Sequence, residues 1–178
     1  MMQKLIMTIV AVLLTSTLIA CGGSGGGRSP VGPSYTGDFT GSALETGGVA
    51  LQKSSTSGDT IYVDIEVDSV SNLFGADIKL SIDGSMVALG GDCLAGALLS
   101  GATAYCSQSG NEITIGVSLA SPASPVSGSG IIVTVPLKVI AVGVSAVDFK
   151  LAALYDNGSP IPAQVTVNSW TGGTISGI

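Results

Sequence analysis

Residues 60–68 read Thr60-Ile61-Tyr62-Val63-Asp64-Ile65-Glu66-Val67-Asp68, and their strict alternation decides the fold. Successive side chains on a strand point to opposite faces. Ile61, Val63, Ile65 and Val67 are therefore expected in a core, and Tyr62, Asp64, Glu66 and Asp68 in water. The same period of two runs outward in both directions. In residues 73–83, Phe74, Ala76, Ile78, Leu80 and Ile82 take the inward phase, and Gly75, Asp77, Lys79 and Ser81 the outward one. Residues 111–119 repeat it with Ile113, Ile115, Val117 and Leu119. Residues 131–142 are apolar on both faces, as a covered central strand would be, with Pro136 marking a bulge or a place without ladder pairing. Residues 144–155, 163–168 and 174–178 complete the strands. The tracts Ser121-Pro122-Ala123-Ser124-Pro125, Ser127-Gly128-Ser129-Gly130 and Asp156-Asn157-Gly158 supply turn chemistry. Residues 86–101 fit a short strand followed by a loop or one helical turn. Eight or nine strands without a convincing helix predict an all-β chain packed as a two-sheet sandwich.

Composition narrows function further. Twelve Asp and Glu stand against six Lys and Arg, with no basic cluster, which argues against nucleic-acid binding. The chain contains no His, and so lacks the commonest general base and transition-metal ligand. No nucleophile sits with a base and no phosphate-binding glycine loop opens a helix, so neither enzyme activity nor a cofactor is expected.

The amino terminus carries a different message. Lys4 precedes the apolar run 5–14, and Leu18-Ile19-Ala20-Cys21 leads directly into Gly22-Gly23-Ser24-Gly25-Gly26-Gly27. About ten apolar residues are too few to span a bilayer. The junction resembles a bacterial lipobox. That resemblance implies a signal peptide over 1–20, lipidation of Cys21, a Gly/Ser-rich tether over 21–47 and one domain over 48–178. Gly22 after the cysteine implies sorting to the outer membrane, making an exported, surface-held lipoprotein.

Cys93 and Cys106 are the remaining cysteines. In an oxidising compartment a disulfide between them is expected rather than a redox pair, because the spacing is not Cys-x-x-Cys. Asp64, Glu66 and Asp68 would share one strand face about 7 Å apart, too wide to hold one ion closely without loop ligands, and read as a solvated face rather than a metal or acid/base site. Asn157-Gly158-Ser159 matches a glycosylation sequon, but a hairpin turn accounts for it.

The order of several segments is similar to a cohesin domain, a β-sandwich binding module. Gly58-Asp59-Thr60 enters an alternating strand. Val70-Ser71-Asn72-Leu73-Phe74-Gly75-Ala76-Asp77-Ile78-Lys79-Leu80-Ser81-Ile82-Asp83 resembles a loop, a small-residue step and a strand ending in Asp. The stretch from Val126 through the glycines to Pro136-Leu137-Lys138-Val139 resembles the family's Gly-rich turn feeding a long strand, and Asp156-Asn157-Gly158-Ser159-Pro160-Ile161-Pro162 its late turn. The resemblance implies a jelly-roll sandwich of about nine strands that captures a calcium-loaded, dockerin-like module on one sheet face. Asp77, with Lys79, Ser81 and Gly75 beside it, would form that face. Two departures stand out: Gly75 replaces a polar side chain, and residues 118–122 lack an acidic residue often found there. The shared fold leaves a carbohydrate-binding module open, with Tyr62 as the platform and Trp170 either a second ring or a cap on the core. It equally leaves open an envelope structural protein without a specific ligand. Polysaccharide binding or degradation is the setting the resemblance implies.

Overall fold

The computed structural model describes residues 33–158 and 161–178. The expected signal peptide over 1–20, the expected lipidation site Cys21, the start of the expected tether, and Ser159 and Pro160 lie outside them. Thirteen strands follow one another: β1 Gly37–Gly41, β2 Val49–Ser57, β3 Thr60–Leu73, β4 Gly75–Ser81, β5 Val87–Leu89, β6 Leu94–Ala95, β7 Thr103–Ser109, β8 Glu112–Ser118, β9 Val126–Val139, β10 Gly143–Tyr155, β11 Gln164–Val165, β12 Trp170–Thr171 and β13 Gly173–Gly177. They form two sheets. One runs β1-β13-β10-β4-β8-β7 with β11 attached to β10, and the other β12-β2-β3-β9-β5 with β6 attached to β9. Pairing is antiparallel except between β12 and β2. The fold is the expected all-β two-sheet sandwich, and the excess over nine strands consists of short edge pieces of two or three residues.

The alternation of residues 60–68 produces the core directly: Ile61, Val63, Ile65 and Val67 are fully buried between the sheets, opposite Ile78, Leu80, Ile113 and Ile115. The folded region begins earlier than residue 48, which corrects the expected extent of the tether. Strand β1 pairs along its whole length with β13, and Phe39 is only 3% exposed. The sequence hid this strand because its flanks are glycines. Those glycines are required by packing: Gly37, Gly177 and Gly143 lie in one row across the sheet. A Cβ at Gly37 would stand 2.5 Å from Val139, and one at Gly177 2.7 Å from the same side chain.

Strand β3 runs five residues past Asp68, because its register changes. Val67, Val70 and Leu73 face Gly130, Gly128 and Val126 of β9, three residues on one strand for two on the other. Ser69 and Asn72 take positive φ at these two bulges. Their backbone N–H groups leave the ladder and donate instead to Ser129 Oγ at 2.9 Å and Ser127 Oγ at 3.0 Å. The Ser-Gly-Ser-Gly tract is thus not a turn but a strand whose hydroxyls serve the bulges opposite.

Pro136 sits in a central strand, opposite Tyr62 of β3. Its carbonyl accepts from Gly90 N on the other flank, so its missing N–H points the same way, into the gap between β5 and β6 that residues 90–93 span. That gap costs the sheet no hydrogen bond.

Asp64 corrects the expectation of a wholly solvated acidic face. It is 6% exposed, lies between Gln52 and Thr134 across the strands, and accepts from Thr134 Oγ1 at 2.5 Å. Asp68 is likewise engaged, accepting from Ser129 Oγ at 2.7 Å, Ser69 Oγ at 3.0 Å and Gly47 N at 3.1 Å. These donors hold its carboxyl below the usual range, Ser129 foremost.

Residues 86–101 hold the two short strands and a turn closed by Ala102 N donating to Leu99 O. Cys93 and Cys106 form a disulfide with Cα atoms 5.7 Å apart. It joins the loop between β5 and β6, on the edge of one sheet, to β7, the edge of the other.

Candidate partner-binding face

The outer face of β10-β4-β8-β7 carries the site. The register sets side chains in rows: Ala153, Asp77, Gly116 and Tyr105 in one, Leu151, Lys79, Thr114 and Ser107 in the next. Asp77 is exposed and Lys79 and Ser81 are half-buried at i+2 and i+4 along β4, as the alternation requires. Ser81 Oγ donates to Asp148 O at 3.4 Å. Gly75, counted among the face residues from sequence, is buried instead; a Cβ there would meet Val117 O at 2.8 Å. Phe74, expected in the core, is half-buried and lines a cleft of about 460 Å³ at the end of this face, with Asp77, Tyr155, Ile161 and Pro162. Asp156 closes that cleft. Its Oδ1 accepts from Gly158 N at 2.9 Å and Ala163 N at 2.7 Å, and these backbone donors hold its carboxyl below the usual range.

Two large side chains on the face stand outside the partner-binding set expected from the sequence, although Tyr105 counts there among the aromatic rings within reach of the surface. Tyr105 is 64% exposed and Leu151 62% exposed, and both border a shallow depression floored by Gly116 and Thr114 between Asp77 and Lys79. Simple alternation through β10 would turn Val147, Phe149 and Leu151 all inward. A bulge between Phe149 and Leu151 inserts Lys150, and the phase of Leu151 flips to the outside. Lys150 then reaches Glu112 on β8, which also lies 4.0 Å from Lys79. The hydrogen bond and charge of Lys150 hold the Glu112 carboxyl below its usual range. The signal for Tyr105 was the alternation of β7 itself, diluted by small polar residues.

Tyr62 lies on the opposite sheet, half-buried beside Ser55 and Pro136. Trp170 is half-buried and meets Phe149 edge-on, ring centroids 5.0 Å apart, across the seam between the sheets. Tyr62 and Asp77 therefore occupy opposite outer faces. Among the described residues, no three His, Cys, Asp or Glu side chains assemble a metal-ion set.

Comparison with known proteins gives a consistent picture. The family model described as the cohesin domain matches residues 49–176. No protein with a curated description matches the sequence. Among solved structures, the chain is similar to a non-cellulosomal cohesin of the archaeon Archaeoglobus fulgidus, at 20% identity and TM-score 0.52, covering 65% of this chain and 79% of that one. A type II cohesin from the cellulosome of Acetivibrio cellulolyticus aligns at 15% identity and TM-score 0.53, covering 71% and 91%. The cohesin of a type I cohesin–dockerin complex from Clostridium thermocellum aligns at 16% identity and TM-score 0.56, covering 71% and 95%. At these identities the solved structures speak for the fold alone. The family model spans most of the chain, including the strands β4, β7, β8 and β10 that build the exposed face, and the chain belongs to the cohesin domain family.

Proposed function

We propose that this chain is a surface-tethered receptor module that captures a dockerin-like, calcium-loaded protein on the outer face of β10-β4-β8-β7. Its work is binding, not catalysis. The observation that carries the reading is the exposure of Tyr105 and Leu151 in adjacent rows with Asp77 and Lys79. Large side chains over a shallow floor, ringed by charge, are what a partner needs for anchoring and register. Membership in the cohesin family supports a protein partner, and the Clostridium thermocellum relative is itself found in complex with a dockerin. The proposed setting is the outer membrane or cell surface, with Cys21 lipidated and the captured partner engaged in polysaccharide binding or breakdown.

The test is capture from the source organism's envelope and secreted proteins, with calcium and then with chelator, by the wild type and by Asp77→Ala and Leu151→Asp. Both positions are on the exposed face, so the variants are expected to keep the wild-type melting temperature while losing a calcium-dependent partner. Retention of a polysaccharide instead, abolished by Tyr62→Ala and untouched by Leu151→Asp, would replace this reading with a carbohydrate-binding module using the opposite sheet.

A further inference from the structure

The hairpin between β9 and β10 has an anomalous tip. At the same end of the sandwich the β2–β3 connection is Gly58-Asp59 and the β7–β8 connection Gly110-Asn111, polar turns with glycine at positive φ. The β9–β10 connection is Ile140-Ala141-Val142, followed by Gly143 and Val144. Ile140 is 37% exposed and Val142 and Val144 are each 69% exposed. Gly143 faces inward, where a Cβ would lie 3.3 Å from Met86 Sδ, and this turns its neighbours Val142 and Val144 outward together. A tight turn normally carries polar residues, and an exposed aliphatic cluster at a turn needs a partner.

The chain's own connectivity identifies that partner. Gly37, where β1 begins, lies in one row with Gly177 and Gly143, and Thr36 exchanges two backbone hydrogen bonds with Ile178 just beyond. The amino-terminal segment thus leaves the domain two strand spacings, about 10 Å, from the apolar tip. Cys21 precedes Tyr35 by fourteen residues. Fourteen residues span at most about 50 Å. A lipid on Cys21 would therefore keep this end of the sandwich within about 50 Å of the bilayer.

We infer that the β9–β10 tip, Ile140, Val142 and Val144, is a membrane-contact surface that seats in the interfacial region of the bilayer. This rests on the reading of Cys21 as lipidated, and not on the identity of the captured partner. The contact is with lipid as such and does not select anionic headgroups: nearby Asp38 is paired with Lys53 and Asp59 with Lys138 at 3.1 Å, leaving no surplus of positive charge there among the described residues. Tip contact fixes orientation, because one end of the sandwich then faces lipid and the sheet faces stand roughly upright to it.

The full chain, extracted from membranes and reconstituted into phosphatidylcholine vesicles containing brominated lipid, tests this by tryptophan quenching. Val144→Trp is compared with Thr103→Trp, at the far end of the sandwich, and with the wild type, whose signal is Trp170 alone. Mass spectrometry reports the acyl chains separately. The expected result is a lipidated protein in which the tryptophan at position 144 is quenched at least about twofold more than that at 103, equally with and without phosphatidylglycerol. Equal quenching at both positions in a lipidated chain overturns the contact and leaves the anchor standing. A chain without acyl groups overturns both. A concentration-dependent blue shift of the Val144→Trp signal without lipid would show that a second copy covers the tip, and would likewise overturn the proposal.

Discussion

Phe39 offers the sharpest test of where the domain begins. Its ring is 3% exposed, lies on β1 opposite Ile175 of β13, and occupies the space above Gly173. Replacing a buried Phe by Ala costs about 3–5 kcal/mol. An edge strand can relax toward the vacancy, so the lower end, about 3 kcal/mol, applies here. For a domain of this size that corresponds to a fall in Tm of about 10 °C. The reverse perturbation, Gly173→Ala, would place a Cβ against the Phe39 ring and 2.7 Å from Thr40 O, an overpacking cost of about 1–3 kcal/mol. The ring supplies part of that clash. The two changes should therefore couple, with Gly173→Ala costing about 1 kcal/mol less once Phe39 is Ala. Urea unfolding of a soluble form starting at Pro33, followed by Trp170 fluorescence, measures all four corners of the cycle. A Phe39→Ala loss below about 1 kcal/mol, together with strict additivity, would refute the argument and return residues 37–41 to the tether.

Further outcomes follow from other parts of the molecule. Replacing Cys93 and Cys106 together by Ser opens a loop with a sequence separation of 13 and should lower stability by about 3 kcal/mol in urea, an effect that reductant reproduces in the wild type and not in the variant. Ser129→Ala removes the acceptor for the bulged Ser69 N–H and a donor to Asp68, and should cost about 1 kcal/mol by denaturation; no change would mean that water serves the bulge equally well. Asp68, held down by Ser129, Gly47 and Ser69, and Asp59, held down chiefly by Lys138, titrate in the folded state below their ordinary value of 3.8. Groups depressed on folding contribute stability above that value and lose it as the pH falls through the folded pKa. Melting temperature should accordingly hold from neutral pH to about 5 and decline below about 4, with a smaller decline in Asp68→Asn. In a chain without His, an inflection between pH 6 and 7 would contradict this account.

What could be read from the sequence was whatever obeys a period of two. Residues 60–67, 76–82 and 113–119 alternate without interruption, and their inward sets are the core. Asp77 and Lys79 lie on the outer face for the same reason. Interruptions of the period were illegible in proportion to how much chemistry they carry. The two bulges after Val67 convert a spacing of two into Val67, Val70 and Leu73, so the strand seemed to stop at Asp68. The bulge at Lys150 exposes Leu151 and thereby makes half of the candidate site. Burial of Asp64 depends on cross-strand neighbours that no local pattern reveals. Strand β1 was missed because a five-residue edge with glycine at both ends carries almost no propensity, and only its register with β13 gives it an address.

The way the two sheets end has a consequence for crowding. On one flank the broken edge of β5 and β6 faces β7, with Leu89 N donating to Gln108 Oε1 and Cys93 bonded to Cys106 across the divide. On the other, Ser42 N donates to Gly172 O, and the backbone at Gly41 packs against Leu51 O, so that no side chain fits between. Each margin is therefore bridged to its counterpart from the facing sheet, through Gln108 and Cys106 on one flank and through Ser42 and Gly41 on the other. A second copy approaching either flank would meet these bridges before it met an open strand, which works against edge-to-edge strand addition.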